Sequence, residues 1–337
     1  MAPVLPGTML FSWEFPYMPS PLKYFFSRLV GAIVTILVGS LLVFLVMKAA
    51  PGDPALAVLG DFATPESIAD FNRERGFDQP VLVQYMHWLN DLVHLDFGTS
   101  LSIASGRDIG ELLAFRLPNT LTVGVYAILI AIVIALILGT SAAVRRGRPT
   151  DTIATAVSVL GVSMPDFWLG YMLILGLSIG AGLFPSYGFV PLSESVTGAL
   201  HSGFLPALAI AAPMAAVFSR TLRAALVDNM DRDHVTVAKS FGHSRRFIFL
   251  HHVFRNSIIP FIVVVGLQVR YLLGGVVIIE LIFGIQGVGS LMVDAAFARD
   301  YPVVQACAVT FLAIVLAVNF LVDVICAMLD PRRGGRS

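Results

Sequence analysis

The sequence predicts an all-α integral membrane protein with six transmembrane helices. Of its 337 residues, 57% are hydrophobic and only 13% are charged, and its mean hydropathy is +0.83, whereas a soluble domain carries roughly 25% charged residues. Six apolar runs approach the ~20 residues that a helix needs to cross a bilayer. Lysine and arginine are concentrated in alternate connections between these runs, as expected for helices that cross a membrane in alternating directions.

The six spans follow in order along the chain. The first lies within residues 24–48, and its charge-free stretch is too long for the apolar part of a cleavable signal peptide. The other five are predicted at 117–144, 153–181, 203–219, 256–279 and 301–322. Asp166 interrupts the third span, and Arg270 interrupts the fifth.

The orientation of the chain follows from its basic residues. Of the 22 Lys and Arg residues, 15 lie before the first span or after the second, fourth and sixth. Both termini are therefore predicted to be cytoplasmic, with tails at 1–23 and 333–337. The same rule makes residues 49–116 a periplasmic segment and residues 224–256 a cytoplasmic loop. A core at 117–332 then holds the remaining five spans.

The periplasmic segment is too long and too patterned for a plain linker. Part of it has apolar residues at helical spacing, which predicts an amphipathic helix on the membrane surface or on the bundle. These residues are Val81, Leu82, Tyr85, Trp88, Leu89 and Leu92. Acidic residues outnumber basic ones in the segment, so we expect it to favour basic patches on a docking protein.

The cytoplasmic loop has a regular internal pattern. A short helix is predicted to start near Asp233 and to stop at Gly242, and a second helix then leads into the fifth span at Pro260. Four apolar residues are predicted to project into the groove of a partner: Phe247, Phe249, Leu250 and Phe254. A loop with this much order and apolar content is expected to bind another protein.

The zinc motif H-E-x-x-H of membrane metalloproteases is absent from the sequence. The Walker A sequence is absent as well, because none of the lysines (Lys23, Lys48 and Lys239) follows a glycine. If ATP drives this protein, another chain must bind it. Cys307 and Cys326 form no disulfide or zinc pattern and are expected to be small packing residues.

The cytoplasmic loop resembles the EAA loop of binding-protein-dependent ATP-binding-cassette (ABC) permeases, in the variant of dipeptide and oligopeptide importers. Ala238 is followed four residues later by Gly242, and then by Arg-Asn at 255–256 and by Pro260. Phe241 departs from the basic residue that is usual there. Further matches run in order at 50–55, 76–80, 96–98, 116–120, 163–165, 205–207, 272–275, 287–289, 299–305 and 329–332.

The resemblance implies a permease of the bacterial inner membrane that works by alternating access. A solute-binding protein would deliver a peptide, this chain and a second permease would form the pathway in the lipid bilayer, and two ATP-binding subunits would carry ATP and Mg. This chain itself would bind no cofactor, metal or nucleic acid and would not be an enzyme. The loop would contact an ATPase through Asp233, Ala238, Lys239, Gly242, Arg245, Arg246 and Phe247.

Four residues are candidates to line the pathway or to form charge pairs: Arg270, Gln268, Glu280 and Asp166. Arg270 leaves three interpretations open, since it can pair with an acid, bind a peptide carboxylate in the pathway or extend to a membrane interface. The alternative functions are a stand-alone secondary transporter or channel, which needs buried ionisable residues to carry a coupling ion, and an intramembrane enzyme. The substrate stays open among dipeptides, oligopeptides, glutathione, nickel chelates and others.

Overall fold

The computed structural model describes residues 21–49, 54–60 and 63–329. Within these ranges, the side chains of residues 21–28, 54, 57, 269–271, 273, 323 and 326–329 lie outside the description. The described backbone consists of helices and connections, with one isolated antiparallel bridge between Thr99 and Asp108. The all-α fold class is therefore confirmed.

Thirteen α-helices follow one another in the described part of the chain. They are α1 (Pro21–Ala49), α2 (Pro54–Leu59), α3 (Pro65–Glu74), α4 (Val81–Val93), α5 (Ile109–Val144), α6 (Pro149–Ser163), α7 (Asp166–Leu173), α8 (Val196–Met230), α9 (Asp233–Ser240), α10 (Arg245–Ile248), α11 (Arg255–Phe283), α12 (Val288–Phe297) and α13 (Tyr301–Leu329). Two π-helical stretches extend α7 and join α10 to α11, at Ile174–Gly180 and Phe249–Phe254.

Among the described residues, five helices are long and apolar enough to cross a membrane, and two bent pairs raise the number to as many as seven. The six predicted spans fall within this range, and their exact number stays a prediction. The third predicted span is broken in the structure, where its two halves, Pro149–Ser163 and Asp166–Gly180, meet at 105°. Pro165 explains the break, since proline lacks an amide hydrogen and forces Met164 into an extended conformation (φ −95°, ψ 125°).

Two further boundaries differ from those predicted. Helix α5 begins at Ile109 rather than at residue 117, because the Asp108 side chain caps it and accepts a hydrogen bond from the Glu111 amide at 2.9 Å. Helix α8 extends beyond both ends of the predicted 203–219 span. The first residues of the predicted 224–256 loop are therefore the last turns of α8.

Helix α8 forms the centre of the bundle. It is the most buried of the five candidate spans and packs against α5, α6 and α11. Small residues line the buried face of α5 at intervals of four, including Ala131, Ala135 and Gly139. A β-carbon at Gly139 would come within 2.9 Å of the Ser219 carbonyl oxygen on α8. Small side chains therefore let the two backbones approach closely, as is typical of helix pairs in membranes.

The amphipathic helix predicted in the segment after the first span is confirmed as α4. Its Tyr85 is buried, and the Tyr85 hydroxyl lies 3.1 Å from the Ser40 hydroxyl and donates to the Leu37 carbonyl at 3.2 Å. The Tyr85 ring also meets Phe44 with centroids 5.5 Å apart. Helix α4 thus packs against the second half of α1.

Candidate functional site

The connection between α8 and α11 has the helix, glycine turn and helix that the sequence predicts. Asp233 begins α9, directly after Arg232 in an extended conformation. Gly242 has φ +79°, in the left-handed region that glycine enters without steric cost. Ser244 then caps α10 by accepting a hydrogen bond from the Phe247 amide at 3.3 Å. We call residues 231–254 the coupling loop.

Buried side chains attach the coupling loop to the bundle. Val235, Ala238, Ile248 and Val253 are exposed by 6% or less and belong to the same apolar core as α8. Ala238 was predicted to lie at the contact with a partner, but it faces the bundle instead. Two stretches of the loop, α9 and residues 248–253, are therefore packed on the core of the bundle.

The outer face of the coupling loop is exposed and partly apolar. Six of the predicted contact residues lie on it: Asp233, Lys239, Gly242, Arg245, Arg246 and Phe247. Phe241 is 79% exposed and Val237 is 53% exposed. The prediction that Phe249 and Phe254 project outwards is wrong, because both pack against the core. Phe241 stands where the family usually has a basic residue. An exposed apolar side chain at such a position favours contact with another protein.

Aromatic stacking orders the middle of the coupling loop. The Phe247 ring lies between two histidines, with centroids 4.8 Å from His243 and 4.3 Å from His251. Both histidines are exposed, and His251 Nδ1 lies 3.2 Å from the Phe247 carbonyl oxygen. The stack joins the turn after α9 to the π-helical stretch. It therefore holds Phe247 in one position on the exposed face.

Ion pairs hold the neighbouring turn against α8. Arg223 Nε and Nη2 donate to the two Asp151 carboxylate oxygens at 2.6 and 2.8 Å, and the Gly147 amide donates to the same carboxylate at 3.0 Å. Such two-point contacts between arginine and carboxylate are strong and directional. Arg146 also donates to Asp231 at 2.8 Å, although both side chains are more than half exposed and add little stability.

The coupling loop borders a cleft of about 890 Å³ between the last turns of α8 and the first turns of α11. Asp228, Asn229, Arg232, His234 and Asn256 contribute polar side chains to it. Among the described residues, no group of three or more His, Cys, Asp or Glu side chains could hold a metal ion. The cleft lies directly beside α9, where a docked partner would cover it.

Glu280, predicted to line a pathway or to pair with a charge, lies in a buried polar cluster near the end of α11. It is fully buried, and its two carboxylate oxygens accept hydrogen bonds from the Thr120 hydroxyl at 2.6 Å and from the Ser290 amide at 2.8 Å. Thr120 Oγ1 also accepts from the Val288 amide at 2.8 Å. A β-carbon at Gly287 would overlap the carboxylate. Glu280 therefore joins α11 to α5 and to the first turn of α12.

The structure describes the side chains of two of the other three predicted pathway residues, Asp166 and Gln268. Asp166 is partly buried at the start of α7, accepts from the Phe167 amide at 2.9 Å and lies against the backbone of Gly275 in α11. Gln268 is partly buried on α11. The Arg270 side chain lies outside the described residues, so its role stays a prediction.

Asp300 connects the segment before α5 to α13, a structural role that the sequence did not predict. Its Oδ2 atom accepts hydrogen bonds from the Ser100 hydroxyl at 2.6 Å and from three successive amides at 3.0, 2.9 and 3.2 Å, those of residues 101, 102 and 103. Asp300 is fully buried. Because these groups are about 200 positions away in the chain, no local pattern indicates the contact.

Comparison with known proteins identifies the family. Residues 131–335 match the model of the binding-protein-dependent transport system inner membrane component, and residues 21–124 match that of its N-terminal part. A putative peptide transport system permease of Brucella abortus is 38% identical over 305 residues, which cover 90% of this chain and 96% of that protein. An oligopeptide transport system permease of Bacillus subtilis is 34% identical over 92% of this chain and 98% of its own length. A glutathione transport system permease of Salmonella choleraesuis is 35% identical with the same coverage.

Solved structures show the same fold at much lower identity. An inward-facing methionine ABC transporter matches with a TM-score of 0.55 and 15% identity, over 65% of this chain and 97% of that one. A crystal structure of an amino acid ABC transporter with histidines matches with a TM-score of 0.52, over 65% and 94%. This chain belongs to the family of binding-protein-dependent transport system inner membrane components, and it is a multi-pass permease subunit of an ABC importer rather than a stand-alone carrier.

Proposed function

We propose that this chain forms half of a pathway that carries peptides across the bacterial inner membrane, and that ATP hydrolysis on two separate subunits drives it. Those subunits bind the ATP and Mg, and this chain binds neither. The printed names of its relatives support a peptide substrate, since they are a peptide, an oligopeptide and a glutathione permease. We further propose that the cognate solute-binding protein selects the peptide, and ligand binding to that protein is the measurement that tests this.

The observation that carries the proposal is the two-sided construction of the coupling loop. One side is buried in the core of the bundle, through Val235 and Ala238, and the other side presents Phe241 and Val237 to solvent. Exposed apolar side chains on an ordered segment favour contact with another protein. An ATPase that holds the exposed side would move the buried side together with α8 and α11, because close-packed cores transmit displacement.

The experiment compares two equally exposed phenylalanines. Phe241 is 79% exposed on the coupling loop, and Phe297 is 86% exposed at the end of α12. Phe241→Ser is expected to weaken recovery of the ATPase with the affinity-purified permease complex and to lower peptide uptake by about tenfold, the effect of one apolar contact of ~1.4 kcal/mol. Phe297→Ser serves as the control and is expected to retain the ATPase. Equal recovery with both variants would contradict the proposed contact.

The remaining partners follow from the same proposal. A second permease completes the pathway, and both termini of this chain face the cytoplasm together with the coupling loop. The segment at 49–116, which includes α4, then lies on the periplasmic side and contributes to docking of the solute-binding protein. Protease added to sealed right-side-out vesicles tests this orientation, since it is expected to cleave within 49–116 and to leave the coupling loop intact.

A further inference from the structure

A cavity of about 590 Å³ lies at the Lys48 end of α1, well away from the coupling loop. The end of α1, the α3–α4 region, the 96–101 connection and the start of α13 form its walls. Its volume falls within the range of about 300–1,000 Å³ that is typical of small-molecule sites. The ABC import cycle described above assigns no role to this cavity.

The cavity is lined by opposite charges that do not pair with one another. Lys48 donates to the Gln84 side chain at 3.1 Å, and Arg75 donates to the Thr99 hydroxyl at 3.3 Å, so both cations have neutral partners. Asp91 and Asp96 line the same cavity, and among the described residues neither has a basic group within 4 Å. Two cations and two anions around one space suit a ligand that carries both a negative and a positive group.

A mostly buried amide also faces the cavity. Gln305 on α13 is only 9% exposed and lines the cavity. An amide side chain can both donate and accept hydrogen bonds, so Gln305 suits a polar ligand at this position. Trp88 and Phe44 lie beside it with ring centroids 6.0 Å apart and give the cavity an aromatic wall.

The position of the cavity relative to the bilayer indicates the class of ligand. The candidate span in α1 runs from Leu29 to Ala49, so Lys48 lies at the membrane–water boundary. On the adjacent α4, Leu82, Met86 and Val93 are 66%, 55% and 73% exposed and follow one another at helical spacing. An exposed apolar stripe on a helix at this depth is typical of a helix that lies in the membrane interface.

We propose that this cavity binds the headgroup of a zwitterionic phospholipid with a primary ammonium group, of the phosphatidylethanolamine class. Lys48 and Arg75 hold the phosphate, and Asp91 and Asp96 accept hydrogen bonds from the ammonium. The acyl chains continue into the leaflet along α1, where Leu42 and Val46 are exposed. A primary ammonium has three hydrogens to donate, whereas a choline headgroup has none, so the site distinguishes between these two lipids.

The test measures lipid binding to the purified transporter complex by native mass spectrometry after delipidation and titration with dioleoyl-phosphatidylethanolamine. Arg75→Gln is expected to weaken binding of one lipid per permease by about tenfold, since one charge-assisted contact is lost. Arg73→Gln is the matched control, because Arg73 pairs with Asp70 at 3.1 Å outside the cavity. Arg73→Gln is expected to bind dioleoyl-phosphatidylethanolamine like the unmodified protein. Dioleoyl-phosphatidylcholine is expected to bind more weakly than dioleoyl-phosphatidylethanolamine to the unmodified protein and to both variants.

A second variant separates lipid binding from folding. Gln305→Leu keeps a side chain of similar size and removes only the polar group that faces the cavity, so the complex is expected to assemble and to bind phosphatidylethanolamine more weakly. Unchanged lipid binding in both Arg75→Gln and Gln305→Leu would overturn the proposal. If millimolar glycylglycine prevents lipid binding, the dipeptide occupies the cavity in place of the lipid. That outcome would also overturn the proposal and would identify a site for a soluble peptide.

Discussion

Replacement of Glu280 is expected to destabilise the assembled protein strongly. The carboxylate is fully buried and accepts one hydrogen bond from Thr120 and one from the Ser290 amide. A hydrogen bond to a charged group contributes about 1.5–3 kcal/mol. Glu280→Ala removes both and leaves two buried donors without acceptors, so we expect a loss of about 3–6 kcal/mol in the free energy of unfolding.

The isosteric variant allows a finer test of the same contacts. Because Thr120 accepts from the Val288 amide, its own hydroxyl hydrogen is free to point at Glu280. Glu280→Gln offers one oxygen where two acceptors are needed, so we expect it to lose about half as much, roughly 1.5–3 kcal/mol. When Glu280→Ala is combined with Thr120→Val, the two effects are expected to be less than additive, because both changes remove the hydrogen bond between Thr120 and Glu280.

Unfolding is measured in mixed micelles by titration with a denaturing detergent and is followed by tryptophan fluorescence. Glu111→Gln is the control, since Glu111 is exposed in the first turn of α5 and its replacement should stay within about 0.5 kcal/mol of the parent. If Glu280→Ala stayed within the same margin, the role of Glu280 as the joint between α11, α5 and α12 would be refuted.

Three further outcomes are expected. Gly242→Val places a β-branched residue at φ +79°, which costs about 1–2 kcal/mol, and it is expected to reduce ATPase recovery in pull-down and peptide uptake in vesicles without loss of the permease from the membrane. Arg223→Gln breaks the two-point contact with Asp151 and is expected to lower stability by about 1.5–3 kcal/mol in the same unfolding titration, with little recovery in Arg223→Lys, which lacks the paired geometry. Arg270→Ala is expected to leave the complex assembled and to impair uptake of peptides with a free carboxylate more than that of amidated peptides, whereas failure to assemble would favour a structural charge pair.

Hydropathy and turn chemistry in the sequence were enough to predict most of the helical framework. The apolar runs marked the candidate spans, the spacing of apolar residues marked α4, and Gly242 marked a left-handed turn that the structure confirms. These features depend on neighbouring residues only. The break at Pro165 belongs to the same class, since the restriction that a proline places on the residue before it is a local effect that was available from the sequence.

The side-chain roles were harder to predict because they depend on contacts between distant parts of the chain. Phe249 and Phe254 were expected to face a partner, but the π-helical stretch turns them onto the core. Asp300 finds its donors about 200 positions earlier in the chain, and Glu280 finds Thr120 at a similar distance. A single sequence carries no information about such pairs, so a buried acid in an apolar run indicates only that some partner must exist.

The coupling loop and the Glu280 cluster lie at opposite ends of one helix. Helix α11 starts directly after the coupling loop and ends at the Glu280 cluster, and its 29 residues extend about 43 Å at 1.5 Å per residue. Val253 fixes the first end to the core, while Glu280 fixes the last turn to α5 and α12. Because both ends are held by buried contacts rather than by exposed ion pairs, displacement of the coupling loop by an ATPase is expected to reach the α11–α12 turn instead of being absorbed locally. Loss of the hydrogen bonds to Glu280 should therefore also uncouple ATP hydrolysis from peptide uptake. The ratio of peptide transported to ATP hydrolysed in Glu280→Gln measures this effect, and an unchanged ratio would show that the displacement travels through α8 alone.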